Sequence, residues 1–145
     1  MMPKQKFAAL VLGVFLASCA SGQQQKAPPD LLKTEWLLED LAGKGVLDRV
    51  QATLAFPGPD KVAGQSSCNR FFGGVKISGE SIKFGALAST RMACASEAVS
   101  NQEASYLKAL EGAEKIVMDG PYLLIHSKGL EKPLRFTQIN QTGKP

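Results

Sequence analysis

Residues 64–94 read GQSSCNRFFGGVKISGESIKFGALASTRMAC, and the fold turns on them. Phe72 to Ile77 and Ser81 to Leu87 alternate apolar and polar side chains about Ser78-Gly79-Glu80, which predicts an antiparallel hairpin with Val75 and Ile77 facing Ile82 and Phe84. Gly73-Gly74 interrupts the first limb and predicts a bulge or a sharp bend. A ligand cradle is not indicated there, because neither a phosphate-loop lysine nor dinucleotide spacing accompanies the pair. Cys68 and Cys94 stand near the two ends of the unit.

Working outward, the same period of two recurs on both sides. Thr34 to Leu41 places Trp36, Leu38 and Leu41 on a strand, with the lone Trp read as core, and Ala42-Gly43-Lys44-Gly45 turns the chain. Val50 to Phe56 alternates, with Val50, Ala52, Leu54 and Phe56 on one side, until Pro57-Gly58-Pro59-Asp60 breaks it. Lys61 to Gln65 reads as a short strand leading into Cys68. After Cys94 the period lengthens: Ser100 with Glu103 forms a capping-box pattern, Val99, Glu103, Tyr106, Leu110 and Ala113 lie near one helical stripe, and Gly112 is a stop. This predicts one helix over residues 98–111, with Tyr106 and Leu107 as core anchors. Short β-rich runs follow at Lys115 to Met118, Tyr122 to His126 and Leu134 to Ile139. The expected fold is mainly β (α+β): seven or eight short strands in an antiparallel, barrel-like stack of hairpins, with one helix in the second half.

The chain opens on a targeting pattern, with Lys4 and Lys6 ahead of the short apolar run Phe7 to Ala17. That run is too short for a permanent span and ends in Leu16-Ala17-Ser18-Cys19, which resembles a bacterial lipobox. Residues 1–18 are therefore expected to be a lipoprotein signal peptide, Cys19 the lipidated residue, 19–30 a flexible tether, 31–140 the domain and 141–145 a frayed tail. Ten tether residues reach roughly 30 Å. The expected location is the bacterial cell envelope, lipid-anchored in the outer membrane and facing the periplasm, because Ala20 lacks the acidic character that resembles an inner-membrane retention signal. The mature chain would keep 127 of 145 residues, enough for one core, and 15 basic against 13 acidic side chains. Those basic residues read as scattered, without a run or a stripe, so nucleic acid is not an expected partner.

Export also bears on the cysteines. With Cys19 lipidated, Cys68 and Cys94 remain as a pair in an oxidising compartment, which predicts one disulfide; a metal site and a reactive thiol are the alternatives weighed against it. His126 is the sole histidine, so a metal site lacks further ligands, and no metal or cofactor is expected. Gly64-Gln65-Ser66-Ser67-Cys68 lacks the second glycine of a nucleophile elbow. A Cys/His pair with His126 would need a free thiolate, and the acidic residues come singly, without a partner that would divide acid from base. No catalytic residue is assigned. What remains is a polar cluster, Asn69, Arg70, Ser89, Thr90 and Arg91, which a disulfide would gather into one neighbourhood. It reads either as a cationic binding patch for an anionic or peptide-like partner or as a brace for the loops around the disulfide.

At these residues the sequence resembles the META domain family. The resemblance rests on Cys68-Asn69-Arg70 followed by an aromatic and glycines, on the Gly79 to Ile82 hairpin, and on LASTRMAC at Leu87 to Cys94 followed by Glu103 and Tyr106-Leu107. It continues weakly to Trp36 and to the late Leu-x-Phe strand, while Ser67 and Val75 stand where many relatives carry Gly and an aromatic. The resemblance implies a small envelope domain linked to heat stress and to tolerance of antibiotics such as novobiocin, with no catalytic residues to carry over. The expected function is thus a non-enzymatic, lipid-anchored protein that binds another envelope protein or peptide. A thiol-dependent hydrolase or redox protein, and a protease-inhibitor-like module, are the alternatives.

Overall fold

The computed structural model describes residues 30–139; the signal segment, Cys19, nearly all of the tether and the tail lie outside the described residues. Among the described residues there are nine strands: β1 (Glu35–Leu41), β2 (Thr53–Gly58), β3 (Lys61–Gln65), β4 (Arg70–Ser78), β5 (Ser81–Phe84), β6 (Ala88–Ser89), β7 (Ala113–Asp119), β8 (Tyr122–Ser127) and β9 (Leu134–Gln138). One helix, α1 (Glu97–Glu111), separates β6 from β7. Every pairing is antiparallel, and eight strands close on themselves because β3 pairs with β4 while β9 returns to β1. Strand β6 is an extra two-residue piece laid beside the first half of β4. The mainly β, barrel-like expectation holds, and the stack of hairpins closes through the β3–β4 pairing.

The central hairpin forms in the expected register: Val75 lies opposite Phe84 and Ile77 opposite Ile82, about a turn with Gly79 at φ +59°. Gly73-Gly74 makes no bulge in the pairing with β3, which runs unshifted from Arg70 to Gly74. Gly73 is instead a site of close approach. A Cβ there would lie 2.8 Å from Leu87 Cδ2 and 2.9 Å from Ala86 O, so the missing side chain makes room for the segment linking β5 to β6.

Other departures have local causes. Pro57 does not end β2, which runs on to Gly58; the ladder to β3 shifts register between Ala55 and Gly58, and Gly58 pairs with Lys61. Val50 lies outside the strand, half-buried. Leu38 and Leu41 both face the core although three positions apart, because the β1–β9 register shifts between Leu38 and Asp40. Strand β5 stops at Phe84, short of Leu87. The helix is capped by Ser96, whose Oγ accepts from Val99 N–H at 3.4 Å, so Ser100 and Glu103 are no capping box. Gly112 ends it as expected, its N–H donating to Lys108 O.

The barrel interior is filled by Trp36, Leu54, Phe71, Ile82, Leu123 and Phe136 with their neighbours, all buried. Helix α1 lays Tyr106, Ala109 and Leu110 into that core. Leu107 packs half-buried at its margin. Exposed His126 lies on the outer face of β8.

Candidate functional site

The loop between β3 and β4, Ser66 to Asn69, is held by one carboxylate from α1. Glu103 Oε2 accepts from the Asn69 N–H at 2.7 Å, the Cys68 N–H at 3.2 Å and the Ser66 hydroxyl at 2.8 Å, and Oε1 accepts from Asn69 Nδ2 at 2.8 Å. The Ser66 hydroxyl carries a single proton and shares it with Asn69 O, also at 2.8 Å. Burial pushes the Glu103 carboxyl up, but the donors from Asn69, Ser66 and the backbone outweigh it and hold its pKa below the ordinary glutamate range.

Asn69 passes the restraint onward. Its Oδ1 accepts from the Met92 N–H at 2.7 Å and from Thr90 Oγ1 at 2.9 Å, while Thr90 Oγ1 in turn accepts from the Arg70 N–H at 3.1 Å. A disulfide joins Cys68 to Cys94, with Cα atoms 5.5 Å apart. The two loops are therefore locked by a covalent link and a buried amide side by side. The sulfurs and the Glu103 carboxylate lie within 4.8 Å of one another, yet the sulfurs are bonded to each other and the carboxylate already accepts from Ser66, Cys68 and Asn69, so this cluster offers a metal no free ligand set.

The five residues singled out from sequence do gather here, but they divide. Asn69 is buried and Thr90 shares its hydrogen bonds, so these two serve as the brace. Ser89 lies opposite Phe71 in the β4–β6 pairing. Arg70 and Arg91 are exposed, and among the described residues neither guanidinium has a hydrogen bond or a carboxylate partner. The brace presents the two arginines rather than consuming them.

Sequence reasoning missed what lies beside them. Residues 61–94 carry Lys61, Arg70, Lys76, Lys83 and Arg91 against Glu80 alone, a net of +4 that equals the formal net charge of the whole chain. The segment holds five of the chain's 17 basic residues but one of its 13 acidic ones, so its charge comes from a scarcity of acid and not from a run of base. Period-two alternation puts Arg70, Phe72 and Lys76 on the outer face of β4, and the neighbouring strands add Lys61 beside Gly74 and Lys83 directly opposite Lys76. Glu80 is taken by Lys115, Nζ to Oε2 at 3.1 Å, and Asp60 sits in the turn at one end. Between the cations, Phe72 is 60% exposed and flanked by Ala63 and Ala88; near Arg91, Met92 is 63% exposed. The full signal was legible only after the strands were paired, since these residues are six to nine positions apart in the chain.

Lys76 opposite Lys83 is unfavourable for the fold, because like charges on directly opposed strand positions repel. Lys83→Glu converts the pair to an attractive one. We expect it to raise the Tm by about 1–4 °C at low salt. A fall in Tm measured by circular dichroism would show that Lys83 supports the fold in some other way.

A separate open cleft of about 700 Å³ lies between the β1–β2 loop, α1 and the β8–β9 loop, bordered by Leu47, Leu130, Asn101 and Ser105. Gln102 separates it from the disulfide loop, accepting from the Leu47 N–H at 2.7 Å and donating to Ser67 Oγ at 2.9 Å.

Compared with known proteins, residues 29–141 match the family model described as the META domain. A protein structure solved by NMR is similar at 26% identity and a TM-score of 0.61, covering 77% of this chain and 94% of the other. A second NMR structure, of a protein from Burkholderia xenovorans, has the same fold at 22% identity and a TM-score of 0.61, covering 97% and 100%. No curated protein matches the chain closely enough to count as a relative.

Proposed function

This chain belongs to the META domain family, and from that premise we propose that it is a non-catalytic binding protein of the bacterial envelope. Lipid on Cys19 holds it at the membrane, and the basic outer wall engages an anionic envelope component. Tolerance of heat and of novobiocin-like antibiotics is the physiological consequence. The observation that carries this reading is the gathering of Lys61, Arg70, Lys76 and Lys83 on one outer wall, none of them in an ion pair among the described residues, beside a loop stiffened by a disulfide and by Glu103. A rigid, hydrogen-bonded loop with both sulfurs linked suits presentation of a surface better than turnover. The case against nucleic acid can no longer rest on scattered charge, and it stands on the export pattern alone.

Complementation tests it. In a deletion strain, the wild-type gene restores growth under heat and novobiocin, whereas Lys61→Glu/Lys83→Glu at equal abundance does not. Full rescue by the wall variant, or a deletion strain indifferent to both stresses, overturns the proposal.

A further inference from the structure

Resting on the reading of the wall as a binding surface, we propose that its partner is an anionic lipid leaflet. Five features favour a membrane over an acidic protein. The wall is the outer face of a closed barrel, and two concavities of the domain lie elsewhere, beside α1 and by the Gln65–Cys68 loop. A protein partner would seek a pocket for its central anchor; a leaflet needs none. Strand β3 and the Arg70–Gly74 half of β4 are hydrogen-bonded to neighbours on both sides, so that part of the wall, where Phe72 and Arg70 stand, has no free edge for an added strand.

The side chains fit the same surface. Phe72 stands between short alanines with cations at both ends of its strand, which places an aromatic ring to enter the headgroup region while Arg70 and Lys76 meet phosphates. Lys76 and Lys83 repel each other in the free protein, and a sheet of anions relieves that repulsion without requiring any particular geometry. A tether of about ten residues lets the wall reach the leaflet holding the anchor, so the domain would lie against the membrane rather than stand off from it.

The test uses the full chain carrying Cys19→Ala, so that no lipid anchor dominates, mixed with vesicles of phosphatidylcholine alone or with 40% phosphatidylglycerol. The readout is the ratio of anionic to neutral partitioning by sedimentation, compared between variants that share the same N-terminal segment. Each neutralised cation is worth roughly five-fold. Lys61→Glu/Lys83→Glu should therefore lower the ratio by at least about 25-fold, and Phe72→Ser should weaken anionic binding several-fold, neither with a fall in melting temperature. Lys44→Glu/Lys128→Glu, an equal change of charge off the wall, should preserve most of the ratio. A wild-type ratio near one, or equal losses from the two double variants, overturns the lipid assignment. If that happens while the wall variant still fails to complement, the envelope-binding reading survives with an acidic protein as partner; if the wall variant complements fully, both fall.

Discussion

Replacing Glu103 by alanine is expected to lower the unfolding free energy by about 4 kcal/mol, measured by urea denaturation at pH 7. The carboxylate accepts from two backbone N–H groups, one amide and one hydroxyl. A hydrogen bond to a charged group contributes about 1.5–3 kcal/mol, and an orphaned buried donor costs about 1–3 kcal/mol. Simple addition would exceed 6 kcal/mol, but the four bonds share one acceptor group and the site is only half-buried, so water recovers part of the loss. The loop carrying Cys68 would loosen first, since Glu103 is the side chain that ties its backbone to α1. A loss below about 1 kcal/mol would mean that the disulfide alone holds the loop.

The same site makes a pH prediction whose sign follows from the direction of the shift. Because the folded pKa lies below the unfolded one, Glu103 contributes its ionic stabilisation fully above the ordinary glutamate range, around 4.3, and loses it as pH falls through the lower folded value. The stability gap between wild type and Glu103→Gln should therefore be flat from neutral pH to about 5 and narrow below that. A gap that widens in acid would contradict the hydrogen-bond assignment.

The hairpin at Val75 to Phe84 was legible because its information is local: alternation, a glycine turn and facing apolar residues settle its register within ten positions. The helix and its glycine stop were legible for the same reason. Its start was legible to within one residue, but its cap was not, because Ser100 with Glu103 fits the capping-box pattern while the cap is Ser96 and Glu103 serves a loop 34 residues earlier. The disulfide could be read from the number of cysteines and the export pattern. The basic wall was legible only in part: the hairpin's own register already sets Lys76 against Lys83, but Lys61 joins them only because β3 closes onto β4. Asn69 and Thr90 were noticed as polar, but whether they brace or bind depended on where Met92 and Glu103 come to rest.

Tyr106→Ala is expected to be the most damaging single change, costing about 4–5 kcal/mol and leaving the domain partly unfolded at 37 °C. Tyr106 is fully buried, its ring centroid 6.0 Å from Phe71 in an edge-on arrangement and 6.3 Å from Phe136. Truncating a buried aromatic to alanine costs about 3–5 kcal/mol through lost burial and the cavity left behind. The hydroxyl adds a second loss, since it donates to Thr53 O at 3.0 Å from within the core, where burial also pushes the phenol pKa up. The surroundings cannot close over the gap. Gly64 sits against that carbonyl and against the Phe71 ring, so a Cβ there would collide with Thr53 O and lie 2.8 Å from Phe71. Against a net stability of about 5–15 kcal/mol, such a loss is decisive for a domain of this size. Tyr106→Phe keeps the ring and should cost only about 1 kcal/mol, the worth of one hydrogen bond. Near-ultraviolet circular dichroism across urea should rank wild type, Phe and Ala in that order. If Phe and Ala were equally damaging, the hydroxyl rather than the packed ring would be what fastens α1 into the barrel.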